Sequence, residues 1–254
     1  MRLVILTQDD PFYLARNIHY LLKKLPPYAE VVATVVFDVS PFGRRESFRD
    51  KIKKTYTIFG LPFFMRYGVK FVTSKLNSRN NVRKTLADRK IPLIHIDGNI
   101  NKDENIDKIL VYKPDLLVSI AGNQIFKRKL LDVATHGCIN LHTALLPKYR
   151  GLMPSFWVLK NGETHTGVSV FFVDEGIDSG PILVQKKLEI GSMSQAELID
   201  VTKKMGMDAI LESIEKIHVG NPDLIENDAA QMTYFKFPTR DDVQAFLAAG
   251  KRFY

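Results

Sequence analysis

Three side-chain types suited to acyl transfer occur in the second half of the chain: an amide at Asn140, an imidazole at His142 and a carboxylate at Asp178. An imidazole can take a proton from an attacking amine, and an amide N–H can stabilise the oxyanion that develops at the attacked carbon. A carboxylate can raise the basicity of the imidazole and select its tautomer. Residue types alone do not exclude a purely structural role for these three residues, because aspartate beside glycine is common in turns.

The elements that carry these residues must bring them together. Residues 137–141 are predicted to form a strand that ends at Asn140 and His142, whose side chains then share one face about 6–7 Å apart. Similar apolar runs predict strands at 2–7, 30–37, 92–96, 115–120, 166–173 and 182–190. Strands alternate with helices over the first 140 residues, so we expect an α/β fold: a Rossmann-like, mostly parallel sheet with helices on both faces. Ligands of such sheets bind at the carboxyl ends of the strands.

The predicted helices define the organisation of the chain. Asp10 and Pro11 are predicted to open the first helix, and others are expected at 81–90, 103–112, 124–133, 155–160 and 194–218. Thr239, with Asp242 three residues later, predicts a capped final helix. We therefore expect a catalytic domain over residues 1–220, with a basic helical insertion at about 40–78, and a short C-terminal extension over residues 221–254.

The composition restricts the class of protein. The chain has 254 residues, of which 45% are apolar, enough for one domain with a full core. The single cysteine, Cys138, excludes an internal disulfide. No run approaches the roughly 18 apolar residues of a membrane span, and residues 3–6 are too short a run for a signal-peptide core. We therefore expect a cytoplasmic protein.

The positive charge is concentrated in one segment. The net charge is +8, yet residues 44–90 alone carry 14 Lys or Arg against Glu46, Asp50 and Asp88. Three interpretations stay open for this segment: a solvated helical insertion with aromatic residues towards the core or a dimer partner, a pocket edge that binds a pyrophosphate, or an interfacial helix at an anionic membrane. Its aromatic residues are not spaced as stacking platforms, so no nucleic-acid partner is expected.

The run INLHTALLPKYRG, residues 139–151, closely resembles the signature of the folate-dependent formyltransferases. The similarity continues through residues 161–164, 166–170 and 174–182, and the spacing from Asn140 through Gly151 to Asp178 fits the family pattern without gaps. The resemblance implies formyl transfer from 10-formyltetrahydrofolate to a primary amine, with Asn140, His142 and Asp178 as the catalytic residues and no metal. It also implies that the pterin-binding residues are Ala121, Gly122, Asn123, Gln124, Ile125, Val173, Asp174, Glu175, Gly176 and Ile177.

Within this family, the acceptor is predicted by elimination. The turn after the first strand, residues 7–11, contains two carboxylates and no glycine, which makes a poor phosphate nest and disfavours glycinamide ribonucleotide. About 35 residues follow His218, fewer than the C-terminal barrel expected of a methionyl-tRNA enzyme. We therefore expect a nucleotide-linked amino sugar as the acceptor. Methionyl-tRNA, glycinamide ribonucleotide and an inactive folate- or nucleotide-sugar-binding protein stay open as alternatives, and so does a homodimer.

Overall fold

The computed structural model describes residues 1–39, 47–220 and 222–254, and its centre is a seven-stranded sheet in the order β3-β2-β1-β4-β5-β7-β8. The first five strands are parallel, whereas β7 is antiparallel to β5 and β8 is antiparallel to β7. This confirms the predicted α/β fold with a mostly parallel sheet. The seven strands are β1 (Arg2–Gln8), β2 (Glu30–Phe37), β3 (Leu93–Ile94), β4 (Leu116–Ile120), β5 (Cys138–His142), β7 (His165–Phe172) and β8 (Ile182–Glu189).

Helices cover both faces of the sheet because each central strand is apolar on both sides. Along β1, Leu3 and Ile5 join one core with α1 and α7, while Val4 and Leu6 join the other core with α4 and α5. This alternation follows from the two-residue period of a strand. The helices are α1 (Leu14–Lys24), α2 (Phe48–Leu76), α3 (Val82–Ala87), α4 (Asp103–Leu110), α5 (Arg128–Leu131), α6 (Pro154–Lys160), α7 (Gln195–Val219) and α8 (Arg240–Ala248).

Two helices begin later than the sequence predicts. Asp10 does not open α1: its carboxylate accepts hydrogen bonds from the N–H groups of Phe12 and Tyr13 in a turn, and α1 begins at Leu14. The prediction of a helix at 124–133 is also wrong over its first residues. The side chain of Gln124 bonds to main-chain groups of residues 98 and 100, which holds this segment as a loop until α5 begins at Arg128.

The predicted insertion contains one long helix, α2, which Gly60 breaks with a positive φ of 80°. Residues 40–46 of the predicted insertion lie outside the described residues. The side chain of Ser47 caps the helix by accepting from the N–H of Asp50. One face of α2 packs on the C-terminal segment, where Phe63 contacts Phe253 with 4.8 Å between ring centroids.

The C-terminal segment, residues 222–254, packs back onto the catalytic body. Its strand β9 (Tyr234–Phe235) pairs in parallel with β6 (Arg150–Gly151), which lies in the chain just after β5. Its helix α8 begins with the predicted capping box of Thr239 and Asp242 and buries Phe246 against Phe156, with 4.9 Å between their ring centroids. The segment therefore contributes to the core beside the carboxyl end of β5.

Candidate active site

Asn140, His142 and Asp178 line one cavity of about 420 Å³ at the carboxyl ends of β1, β4 and β5. The strand order reverses between the parallel neighbours β1 and β4, and a cleft forms at such a switch point because the following loops run to opposite sides of the sheet. A volume of this size lies in the range of small-ligand sites. The three residues singled out in the sequence are thus brought together.

The imidazole of His142 is held between two oxygen atoms. Its Nε2 lies 2.7 Å from the carbonyl oxygen of Tyr149, and its Nδ1 lies 3.5 Å from Oδ2 of Asp178. A carbonyl only accepts hydrogen bonds, so Nε2 carries a hydrogen and Nδ1 is the nitrogen that can exchange a proton with Asp178. The tautomer is therefore selected by Tyr149, and not by the carboxylate as predicted from the sequence.

Asp178 and Asn140 present their polar atoms to the same cavity. Oδ2 of Asp178 accepts a hydrogen bond of 2.8 Å from the main-chain N–H of Gly151, which orients the carboxylate towards His142. Within the described residues, the side-chain amide of Asn140 has no hydrogen-bond partner. Its hydrogens are therefore available to an oxyanion, as the sequence pattern suggested.

Tyr149, which orients His142, is itself fixed at several points. Its N–H donates to the hydroxyl of Thr233, and its phenol donates to Glu163 over 2.6 Å. Burial, followed by the hydrogen bond to Glu163, raises the pKa of Tyr149 to about 12. Its ring stacks on Phe235 of β9, with 5.3 Å between centroids. The C-terminal segment thereby holds the carbonyl that selects the tautomer of His142.

Asn227, also in the C-terminal segment, supports the loop that carries Asp178. Its side-chain amide donates to the carbonyl oxygens of Asp178 and Gly180, each over 2.9 Å. Its side-chain oxygen accepts from the buried guanidinium of Arg150 over 2.7 Å. Asp178 has a positive φ of 50°, which costs free energy for a residue other than glycine. The bonds from Asn227 help to hold this conformation, and no local pattern in the sequence pointed to them.

The loops predicted to hold the pterin form one wall of the cavity. Nine of the ten predicted residues line it, and among these described positions only Glu175 does not. The amide of Asn123 donates to the carbonyl of Asp38, but its oxygen is buried and has no partner among the described residues. A buried acceptor of this kind needs a donor, which an ordered water or a ligand can supply. The amino and N–H groups of a pterin fit this requirement, and the apolar side chains of Ile125 and Phe126 suit its flat ring.

The opposite side of the cavity contains a lysine that the sequence reasoning missed. Lys203 of α7 lines the cavity together with Gln8, the last residue of β1. Burial lowers the pKa of Lys203, and the nearby charge of Asp10 opposes this shift. Within the described part of the chain, its ammonium has no hydrogen-bond or ion-pair partner. An unpaired cation in a partly buried wall favours an anionic group on the ligand.

Other polar residues near the site have structural partners. Ser169 of β7 is buried; its hydroxyl donates to the carbonyl of Ala144 and accepts from the N–H of Leu146. It therefore holds the loop after His142. Among the described residues, no group of three or more His, Cys, Asp or Glu is placed to hold a metal ion. In the same ranges, no helix is both long and apolar enough to cross a membrane.

The chain is similar to proteins of one family. The sequence profile of the formyl transferase family matches residues 1–214. Among curated proteins, the chain is 31% identical over 209 residues to the methionyl-tRNA formyltransferase of Kosmotoga olearia, a match that covers 82% of this chain and 66% of that protein. It is 43% identical over 121 residues to the enzyme of the same name from Thermodesulfovibrio yellowstonii, covering 47% and 39%. The chain thus spans about two thirds of the length of the first relative and less of the second.

Solved structures share the fold at low sequence identity. A 4-N formyltransferase from Francisella tularensis superimposes with a TM-score of 0.60 at 17% identity, over 98% of this chain and 88% of that one. Glycinamide ribonucleotide transformylase 1 from Symbiobacterium toebii superimposes with a TM-score of 0.61 at 15% identity, over 90% and 94%. The family profile covers most of the chain, and the fold agrees with it. The chain therefore belongs to the formyl transferase family.

Proposed function

We propose that this protein transfers a formyl group from 10-formyltetrahydrofolate to a primary amine. The observation that carries the proposal is the convergence of Asn140, His142 and Asp178 on one cavity, with Nδ1 of His142 3.5 Å from Oδ2 of Asp178. The folate supplies the formyl carbon and leaves with a proton on N10. We assign the pterin to the wall formed by residues 121–125 and 173–177, where the oxygen of Asn123 needs a donor.

The residues of the site have complementary tasks in this reaction. The amine must attack as the free base, and the free hydrogens of Asn140 stabilise the negative charge that develops on the formyl oxygen. Nδ1 of His142 and the carboxylate of Asp178 pass the proton lost by the amine towards the leaving nitrogen. Tyr149 keeps the opposite ring nitrogen protonated, so only Nδ1 takes part. The new bond joins the formyl carbon to the amine, the broken bond frees N10 of the folate, and the proton lost by the amine ends on N10. These steps need no metal ion.

For the acceptor we propose a nucleotide-linked amino sugar. Lys203 supports an acceptor that bears phosphate, because its cation lines the cavity opposite the proposed pterin wall. A phosphate nest after β1, which glycinamide ribonucleotide would use, is disfavoured. The N–H groups of Phe12 and Tyr13, which directly follow that turn, already donate to Asp10, at 2.9 and 3.1 Å.

Methionyl-tRNA is the second candidate acceptor, since the curated relatives at 31% and 43% identity carry the name of that activity. It also bears phosphate, so Lys203 does not distinguish the two candidates. A formyl-transfer assay with 10-formyltetrahydrofolate and a panel of amino-sugar nucleotides, methionyl-tRNA and glycinamide ribonucleotide separates them. Turnover of methionyl-tRNA alone would overturn the sugar proposal. Folate binding without turnover of any acceptor would indicate an inactive binding protein.

A further inference from the structure

Helix α2 has one aromatic face that is already partnered. Phe59 and Phe63 pack against Phe253, with 5.6 and 4.8 Å between ring centroids. Further along, Tyr67 contacts Phe12 over 5.2 Å, and Lys70 donates to the hydroxyl of Tyr13. These contacts show that part of the insertion packs on the core, and after Gly60 they leave the opposite face of the helix outward.

The outward face of α2 is strongly apolar. Eight large apolar side chains on this one helix are between 40% and 81% exposed, and they recur every three to four residues within each half of the helix, on either side of Gly60. A row of this length is unusual on a monomeric soluble protein, and such patches mark interaction sites. The eight residues are Phe48, Ile52, Tyr56, Leu61, Met65, Val69, Val72 and Leu76.

The positive charge of α2 indicates what kind of partner its apolar row would bind. The helix carries seven Lys or Arg and a single carboxylate, Asp50, whose oxygen is bonded to Ser47 at the helix start. Four of the cations flank the apolar row and are exposed: Arg49, Lys53, Arg66 and Lys75. A two-fold contact of α2 with its own copy would place these like charges together, which opposes association. An anionic lipid surface offers the opposite charge beside an apolar layer, and basic amphipathic helices of this composition lie in such interfaces.

We propose that α2 binds the surface of an anionic lipid bilayer, with its apolar row at the acyl boundary and its flanking cations at the headgroups. The partnered face of α2 rests on Phe12 and Tyr13, which closely follow Gln8 in the wall of the cavity. Docking would therefore hold the Lys203 side of the cavity near the membrane. That consequence rests on the proposed function and favours an acceptor attached to a lipid; the lipid contact itself does not depend on it.

Vesicle co-sedimentation of the whole chain tests this proposal. We expect the protein to sediment with phosphatidylcholine vesicles that contain about one third phosphatidylglycerol at low salt, to bind less at high salt, and not to bind pure phosphatidylcholine. Met65→Glu combined with Val69→Glu should weaken binding by about tenfold or more. The matched control, Val219→Glu combined with Leu247→Glu, adds the same charge at exposed apolar positions of α7 and α8 and should bind like the parent.

Charge variants and light scattering complete the test. Replacing Arg49 or Lys53 with Gln should weaken binding about fivefold each, because each removes a cation near the surface. Absence of binding to anionic vesicles at low salt would overturn the proposal, as would equal loss in the control variant. If the parent protein forms dimers and binds no vesicles, and if Met65→Glu combined with Val69→Glu abolishes the dimers, the outward face of α2 would instead be assigned to a second copy of the chain. Formyl transfer is measured without vesicles, so its failure is separable from failure of this proposal.

Discussion

Asn227 donates both hydrogens of its side-chain amide to the loop that carries Asp178, one to the carbonyl of Asp178 itself and one to that of Gly180. The bonds connect residues 49 and 47 positions apart in the sequence and help to hold Asp178 in a conformation with positive φ. Through these two hydrogen bonds Asn227, which does not line the cavity, positions the carboxylate of Asp178 that faces His142.

Asn227→Ala is therefore expected to lower kcat by about tenfold to a hundredfold, since a small displacement of a catalytic group is costly. KM for the folate should change little, because the pterin wall is formed mainly by other loops. The pH profile of kcat should also shift, because the distance between Asp178 and His142 sets their proton exchange; a purely structural role would not move it. Asn17→Ala serves as control: it removes a buried amide bond from Asn17, in the first turn of α1, to the carbonyl of Tyr13, and it should keep kcat. An unchanged pH profile with unchanged kcat would contradict the positioning role.

His142→Asn should reduce turnover by about a hundredfold to ten-thousandfold, the contribution of a positioned acid–base group. An asparagine side chain has no group that can exchange a proton with Asp178. Folate affinity, measured by fluorescence titration or calorimetry, should stay close to that of the parent. Full activity in this variant would remove His142 from the mechanism.

Lys203→Met should raise KM for a phosphate-bearing acceptor by about tenfold, because a charge-assisted bond in a partly buried site is lost. KM for the folate should not change. Lys204→Met is the matched control, as Lys204 is the neighbouring, exposed lysine on the same helix, with its ammonium 5.9 Å from the ring centre of Tyr20. If the two variants behave alike, or if only the folate KM rises, Lys203 does not bind the acceptor.

The affinity for the acceptor should also depend on pH through Lys203. Burial lowers the pKa of this ammonium, so its charge is present below the lowered pKa and is lost as the pH rises through it. Acceptor affinity should thus decline at a lower pH than an ordinary lysine would give, and the decline should be absent from Lys203→Met. Steady-state KM values across the alkaline range provide the measurement.

The fold should lose stability in strong alkali. Burial is the main cause that raises the pKa of Tyr67, Tyr149 and Tyr254 to about 12 each, from an ordinary value of 10.0. A group whose pKa is raised on folding stabilises the fold fully below its unfolded pKa, and this stabilisation is lost as the pH rises through the folded value. The free energy of unfolding should therefore fall between about pH 10 and 12. Tyr149→Phe should reduce the slope in denaturant titrations at these pH values.

Local patterns were sufficient for the seven strands of the main sheet and for the two polar residues at the end of β5, but not for the short strands β6 and β9. Arg2 to Gln8 and Glu30 to Phe37 form strands close to the predicted bounds, because buried parallel strands are nearly continuous apolar runs. Asn140 and His142 share a face because strand geometry has a period of two. The predicted helix at 124–133 starts too early. The side chain of Gln124 bonds to backbone groups of residues 98 and 100, and this holds the residues before Arg128 as a loop.

The sequence by itself determined the family, the α/β layering and the three polar residues of the site, since short-range periodicity encodes the layering and the family motif with its spacing to Asp178 encodes the rest. Only the tertiary structure decided that Tyr149 selects the tautomer of His142, that Asn227 braces Asp178 and that Lys203 faces the cavity. These contacts join residues from separate elements, and their partners are chosen by the packing of β6, β9 and α7 around the end of the sheet. No spacing along the chain indicated these three contacts, because they depend on where distant segments meet.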